Sequence, residues 1–349
     1  MIMDKNIDPG ASIGIDKLGF PNIISGTHTD GSLPKIIWVA KGGADAAGAT
    51  GVSKQGSRNE PFLTIGGASG ALAYTVDGRG DRIIVGPGIW RENLDFGSGT
   101  GTTGSAGRLN KRDIGLYGSG GGHPGRIQIV GDGTTVGPTI RVRDGYLRGF
   151  ALADVEVGSV DSDDADRAQP LVLLETSDTA TLTANSSDEW AMLRNVRLDG
   201  GATATIGLAL RGTTGFRAYG LEVVGCGRGV AFAGSADNFP VDCRLYDVLF
   251  LDNVTSDVAT LAFTAAGAIT SGESASVPLT NVTFVRPLFM DRGGTPVTNY
   301  VNMTGTMVGV GFYEFVAARD VADDTLMVLP VDVIAIGRSA AAAEFVIGA

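Results

Sequence analysis

The chain has 349 residues, 43% of them hydrophobic, which is enough to build a large core and excludes a disordered polypeptide. Glycine reaches 53 residues, about twice its usual share, while charged residues stop at 19%; that balance suits many tight turns and argues against a helical bundle. With 27 basic and 38 acidic residues the net charge is −11 and no basic run occurs, so the electrostatic footprint of a nucleic-acid binder is missing.

In chain order, residues 1–37 carry a Gly/Pro/Asp/Asn texture with scattered Ile and Leu and read as an attachment arm. The opening ten residues have no apolar h-region and no 18-residue apolar run follows, which predicts neither a Sec signal nor a membrane span. From Trp38 a strand begins, and a Gly/Ala/Ser-rich loop leads to Asn59-Glu60-Pro61-Phe62-Leu63-Thr64-Ile65. A short helix is expected next, followed by Gly80-Asp81-Arg82-Ile83-Ile84-Val85-Gly86-Pro87-Gly88-Ile89-Trp90-Arg91-Glu92. Residues 38–95 thus form a strand, a capping helix and a first coil.

Residues 96–320 hold a repeat. A six-residue pattern of apolar, any, Gly/Asn/Asp, apolar, any, apolar begins at Leu147, Leu193, Ala218, Leu245, Leu279 and Met307. If the first gap holds two turns, most repeats are about 23 to 28 residues long, with a loop insertion at Ala265 to Ser276. Apolar alternation on either side of a Gly/Asn/Asp describes two short strands joined by a left-handed residue, one corner of a coil. Such coils bury their inner face only by stacking, with parallel sheets running along the axis. Beyond Asp320, residues 321–349 include an apolar stretch, Leu326 to Ile336, expected to cap the last coil or to contact another subunit.

The 38–95 segments and the repeats together resemble the pectate-lyase-like right-handed parallel β-helix superfamily, with Trp90 standing where the pattern has Tyr, and Asn195 and Asn281 matching its asparagine-bearing turn. The resemblance implies an all-β, single-stranded right-handed parallel β-helix with an N-terminal arm and a short capping helix. It says almost nothing about chemistry. The arm and an apolar outward seam further resemble the tailspikes of tailed bacteriophages. That resemblance implies a virion structural protein made in the host cytoplasm and released by lysis, a homotrimer attached to other virion proteins through residues 1–35 and adhering to host-surface polysaccharide. Two alternatives stand beside it: a tailspike depolymerase acting as a polysaccharide lyase or glycoside hydrolase, and a capsid decoration protein.

Candidate residues follow from the repeat. Its third and fifth positions place Asp247 and Glu222 on adjacent turns with Arg197 on the turn before, within the roughly 5 to 9.5 Å that a glycosidase pair requires if they stack. The competing reading is that Asp247 holds a left-handed turn and Glu222 pairs with Arg197. Second positions give a basic then aromatic stripe, Arg148, Arg194, Tyr219 and Tyr246, continuing to Thr280 and Val308, suited to stacking on sugar rings or to a protein contact. Seventh positions include Val224, Leu251, Val285 and Tyr313, a mostly apolar column read as a trimer seam. No cofactor or metal site is predicted. Cys226 and Cys243 read as core or turn residues, the aspartates at 161, 163, 164 and 166 lack an EF-hand spacing, and His28 and His123 belong to no nucleophilic constellation.

Overall fold

The computed structural model describes residues 33–45, 56–67, 69–76, 79–96, 113–120, 126–133, 137–142, 150–158, 170–175, 191–234, 239–263, 269–273, 277–290, 299–317, 325–329, 333–339 and 344–347. Most of the attachment arm falls outside them. So do Arg148, the 161–166 aspartates and both histidines.

The chain is a right-handed parallel β-helix whose coils have three faces. The first face stacks Ile36–Val39, Arg82–Val85, Gly115–Gly118, Phe150–Ala153, Ala191–Arg194, Arg217–Tyr219, Arg244–Tyr246, Thr283–Val285, the start of Gly311–Ala317 and the start of Ile334–Ser339. On the second face Gly88–Arg91 is followed by Ile127–Val130, Glu156–Gly158, the start of Arg197–Arg211, the start of Glu222–Gly234, Leu249–Leu251 and Leu288–Met290. The third face runs from Leu94–Asp95 through Ile140–Val142 and Pro170–Glu175 to the long ends of the Arg197 and Glu222 strands, then Ser256–Phe263 and Asn299–Asn302. All of these pairings are parallel, because each coil returns to the same face one turn on.

Alternation sets the core. Leu193, Ala218, Leu245, Phe284 and Phe312 on the first face point inward and are fully buried, as are Leu198, Val223, Phe250 and Phe289 on the second. Phe284 stacks on Phe312 with centroids 4.7 Å apart, and Phe250 on Phe289 at 5.2 Å. Both cysteines are free and buried; Cys243 fills the inward place that Phe216 and Val282 occupy one coil before and after.

The N-terminal motif closes the end of this core. Helix Ala71–Tyr74 lies between the Phe62 segment and the Gly80 segment, and Phe62 bridges Val39. Asp81 is wholly buried, receiving two N–H bonds from Arg79 and the backbone N–H of Lys35 and Val76. Glu92 accepts the N–H of Ile65 and of Gly66, and the Trp90 indole donates to Gly86 O. The Asp and the Glu of the motif are thus fasteners for irregular backbone that no ladder satisfies.

Left-handed residues mark the corners, and two of the corners carry long rows of them. Between the first and second faces stand Asp154, Asn195, Gly220, Asp247, Arg286 and Glu314, and leading into the first face stand Asp113, Gly215, Asp242, Asn281 and Gly309, all at positive φ. This corrects the phase of the sequence repeat. The copies at 193, 218 and 245 lie on the former corner, whereas those at 279 and 307 lie on the latter, where Leu279–Thr280 pairs with Met307–Val308 in a sheet of its own. Both corners demand the same local pattern, so the pattern could not distinguish them. Within the 265–276 insertion, Ile269–Glu273 is an antiparallel strand on Ser256–Phe263. The apolar stretch beyond residue 320 adds Thr325–Leu329, Ile334–Ser339 and Glu344–Ile347 to the same parallel ladder.

Candidate functional site

One outward row of the first face reads, coil by coil, Trp38, Ile84, Tyr117, Ala153, Arg194, Tyr219, Tyr246, Val285, Tyr313 and Ile336. Three of the four predicted stripe residues, Arg194, Tyr219 and Tyr246, are therefore consecutive; Arg148 lies outside the described residues. Thr280 and Val308 are not in this row, because their copies belong to the other corner. For the same reason the predicted seam divides. Val285 and Tyr313 continue the tyrosine row, while Val224 and Leu251 sit on the second face with 6% and 8% of their surface exposed.

Coils stack at roughly 4.8 Å, and the Tyr219 and Tyr246 rings fill that spacing, 5.1 Å apart at centroids and 4° from parallel. The faces they turn to each other are covered, so a ligand meets ring edges and one outer face per ring. Tyr219 is 41% exposed and borders an open cleft of about 480 Å³ lined by Met192, Arg194, Asn195, Tyr219, Gly220 and Asp247. Three coils contribute to it. Gly220, at φ 63°, keeps its floor open; a Cβ there would stand 3.0 Å from the Asn195 Oδ1. The Asn195 amide donates to Asp154 Oδ1 at 3.1 Å. Arg194 is exposed, and no side chain among the described residues pairs with its guanidinium.

Of the acid/base candidates, Asp247 forms part of the cleft and Glu222 does not. Arg286 donates to Asp247 through Nε at 2.6 Å and Nη2 at 2.9 Å, and these bonds hold the carboxyl below the usual aspartate value. Glu222 is in register with Leu249, past the corner that Asp247 makes, and its carboxylate meets Arg197 at 3.4 Å. Arg197 also reaches Asp199 at 3.1 Å and Glu156 at 3.7 Å. These side chains form a polar ladder on the second face, Gln128, Glu156, Arg197 and Glu222 on successive coils. Burial pushes the Glu156 carboxyl up against the pull of Arg197.

Glu156, Tyr117 and Arg286 are the residues that sequence reasoning missed. Glu156 could have been found from its spacing to Arg197 and Glu222; Arg286 could not, because the repeat pattern admits only Gly, Asn or Asp at the corner. Among the described residues no cluster of His, Cys, Asp and Glu has metal-holding geometry, and no helix is long and apolar enough to cross a membrane.

No family model and no curated protein matches the chain. Among solved structures it is similar to a pectin methylesterase in complex with a hexasaccharide, at 12% identity and TM-score 0.41 over 86% of this chain and 80% of that one. Pectin methylesterase PemA from Erwinia chrysanthemi matches at 10% identity and TM-score 0.40, over 88% and 81%. A rhamnogalacturonan lyase matches at 11% identity and TM-score 0.26, over 90% and 85%.

Proposed function

We propose that the first face is a glycan-binding surface and that the chain is a rigid adhesin, of the kind expected of a trimeric virion appendage that attaches to host-surface polysaccharide. The observation that carries the binding reading is the cleft itself. An aromatic ring, a guanidinium with no side-chain partner among the described residues and an ionised carboxylate converge on a space the size of one or two sugar rings. The ring supplies an apolar platform, and the two charged groups supply directional hydrogen bonds to hydroxyls. Assembly through the C-terminal coils is supported by Val308, Ile334 and Ile336, each more than half exposed. Docking through residues 1–35 rests on the texture of the arm.

Adhesion is favoured over cleavage because both predicted acids are engaged, Glu222 by Arg197 and Asp247 by Arg286. A carboxyl held below its usual range is poorly suited to be the acid of such a pair, and Glu222 lies on the second face, past the corner from Asp247 and outside the cleft. The test is binding and product analysis of the purified protein on a panel of bacterial surface polysaccharides. Binding without new reducing or unsaturated ends is expected, and Tyr219→Ala is expected to weaken it about tenfold. Cleavage moves the assignment to a depolymerase. Unchanged affinity of the Tyr219 variant removes the cleft from the reading, and a monomer by light scattering removes the trimer.

A further inference from the structure

The corner between the first and second faces holds Asp154, Asn195, Gly220 and Asp247 on successive coils, residue types that tolerate the left-handed conformation. The next two coils break the rule, with Arg286 at φ 53° and Glu314 at φ 54°. The corner requires this conformation on every coil, so a long side chain there is tolerated at some cost and its reach, not its backbone, decides what it does. The Arg286 guanidinium fork grips both oxygens of Asp247 one coil back, at the lip of the cleft, while Glu314 one coil on adds a smaller attraction.

Resting on the glycan-binding reading, we propose that Arg286 is a positioning residue, which fixes Asp247 as an ionised, acceptor-only carboxylate at the cleft lip and thereby selects a sugar presenting free hydroxyls, not an acidic group, at that point. Each Asp247 oxygen accepts one N–H from Arg286 and keeps a lone pair for a ligand O–H. An anionic substituent there meets a like charge. The other groups around Asp247 are Arg194 and Tyr219 across the cleft and Tyr246 just before it, with Glu314 beyond Arg286; Glu222 is turned to Arg197. None of these replaces the fork.

Arg286→Asn suits the left-handed corner and deletes the fork, and Arg286→Lys keeps the charge without the paired geometry. The probes are dextran, a neutral galactan, a mannan and polygalacturonate, with affinity measured from pH 7 down to about 3.5 and the Asp247 carboxyl followed by NMR. Wild type is expected to bind at least one neutral probe better than polygalacturonate, with affinity that holds on acidification because the folded carboxyl titrates low. Arg286→Asn is expected to bind about three- to tenfold more weakly and to lose its remaining affinity at a higher pH, as its Asp247 titration returns to the ordinary aspartate range, while its melting temperature does not fall. Arg286→Lys should lie between the two. A stable Arg286→Asn protein with wild-type affinity and an unmoved pH profile overturns the positioning role and leaves the glycan reading standing. Preference for polygalacturonate overturns the hydroxyl selection. Failure of wild type to bind any of the four overturns the glycan reading and this assignment with it.

Discussion

Glu92 accepts two backbone N–H groups in the irregular cap, and burial raises its carboxyl above the usual value of 4.5 despite them and the nearby Lys41. Removing the carboxylate leaves Ile65 and Gly66 donors without partners, so Glu92→Ala is expected to cost about 1–3 kcal/mol in urea denaturation. Glu92→Gln, which keeps one acceptor, should cost less. The sign of its pH dependence is fixed by the raised carboxyl. A group that titrates higher in the folded state contributes stability below its unfolded value and loses it as pH rises through the folded value. The permanently neutral glutamine therefore compares better with wild type at pH 7 than at pH 4; the reverse order would mean that the hydrogen bonds outweigh burial. At this scale the sequence was informative where a residue type is demanded by backbone it must satisfy, as with Asp81 and Glu92. It was silent at Arg286, where the corner imposes the left-handed conformation on a residue type that the repeat pattern does not admit there.

Coils approach closely only where side chains allow it. A Cβ on Gly229 would lie 2.4 Å from the Asp257 carbonyl and 2.9 Å from the Phe250 ring, both fixed parts of neighbouring strands, whereas one on Gly220 meets only the movable Asn195 amide at 3.0 Å. Gly229→Ala is therefore expected to destabilise by about 2–3 kcal/mol through overpacking. Gly220→Ala, limited to its left-handed penalty, should cost about 1–2 kcal/mol. Chemical denaturation of the two variants checks the order, and equal losses would show that backbone conformation, not inter-coil space, controls the coil. The existence of coils and their strand–corner–strand grammar were legible from apolar alternation. Their phase was not, since Asp242, Asn281 and Gly309 before the first face and Asp154, Asn195 and Asp247 after it obey one pattern. Only the inter-coil register separates them, and that displaced Thr280 and Val308 from the expected stripe and Val285 and Tyr313 into it.

A stack of coils touches only its neighbours, so its stability is close to a sum of local terms and interfaces between adjacent turns. The aromatic ladder concentrates those interfaces in the C-terminal half: Phe284 stacks on Phe312, meets Phe232 edge-on at 6.1 Å, and contacts Phe250 at 6.5 Å. The N-terminal coils rely on aliphatic rows such as Ile83, Leu116 and Leu152, closed by the Asp81 and Glu92 fasteners. Phe284→Ala deletes a fully buried ring with contacts on three other coils and is expected to cost about 3–5 kcal/mol. Because coupling runs only from coil to coil, the loss should fall unevenly. Amide hydrogen exchange is expected to accelerate over Arg244–Tyr246, Thr283–Val285 and Gly311–Ala317 while Arg82–Val85 and Gly115–Gly118 keep their protection. Uniform acceleration along the chain would instead mean that the solenoid opens as one cooperative unit, and the cleft, whose Asp247 belongs to the Arg244–Tyr246 coil, would then owe its rigidity to the whole molecule and not to its adjacent turns.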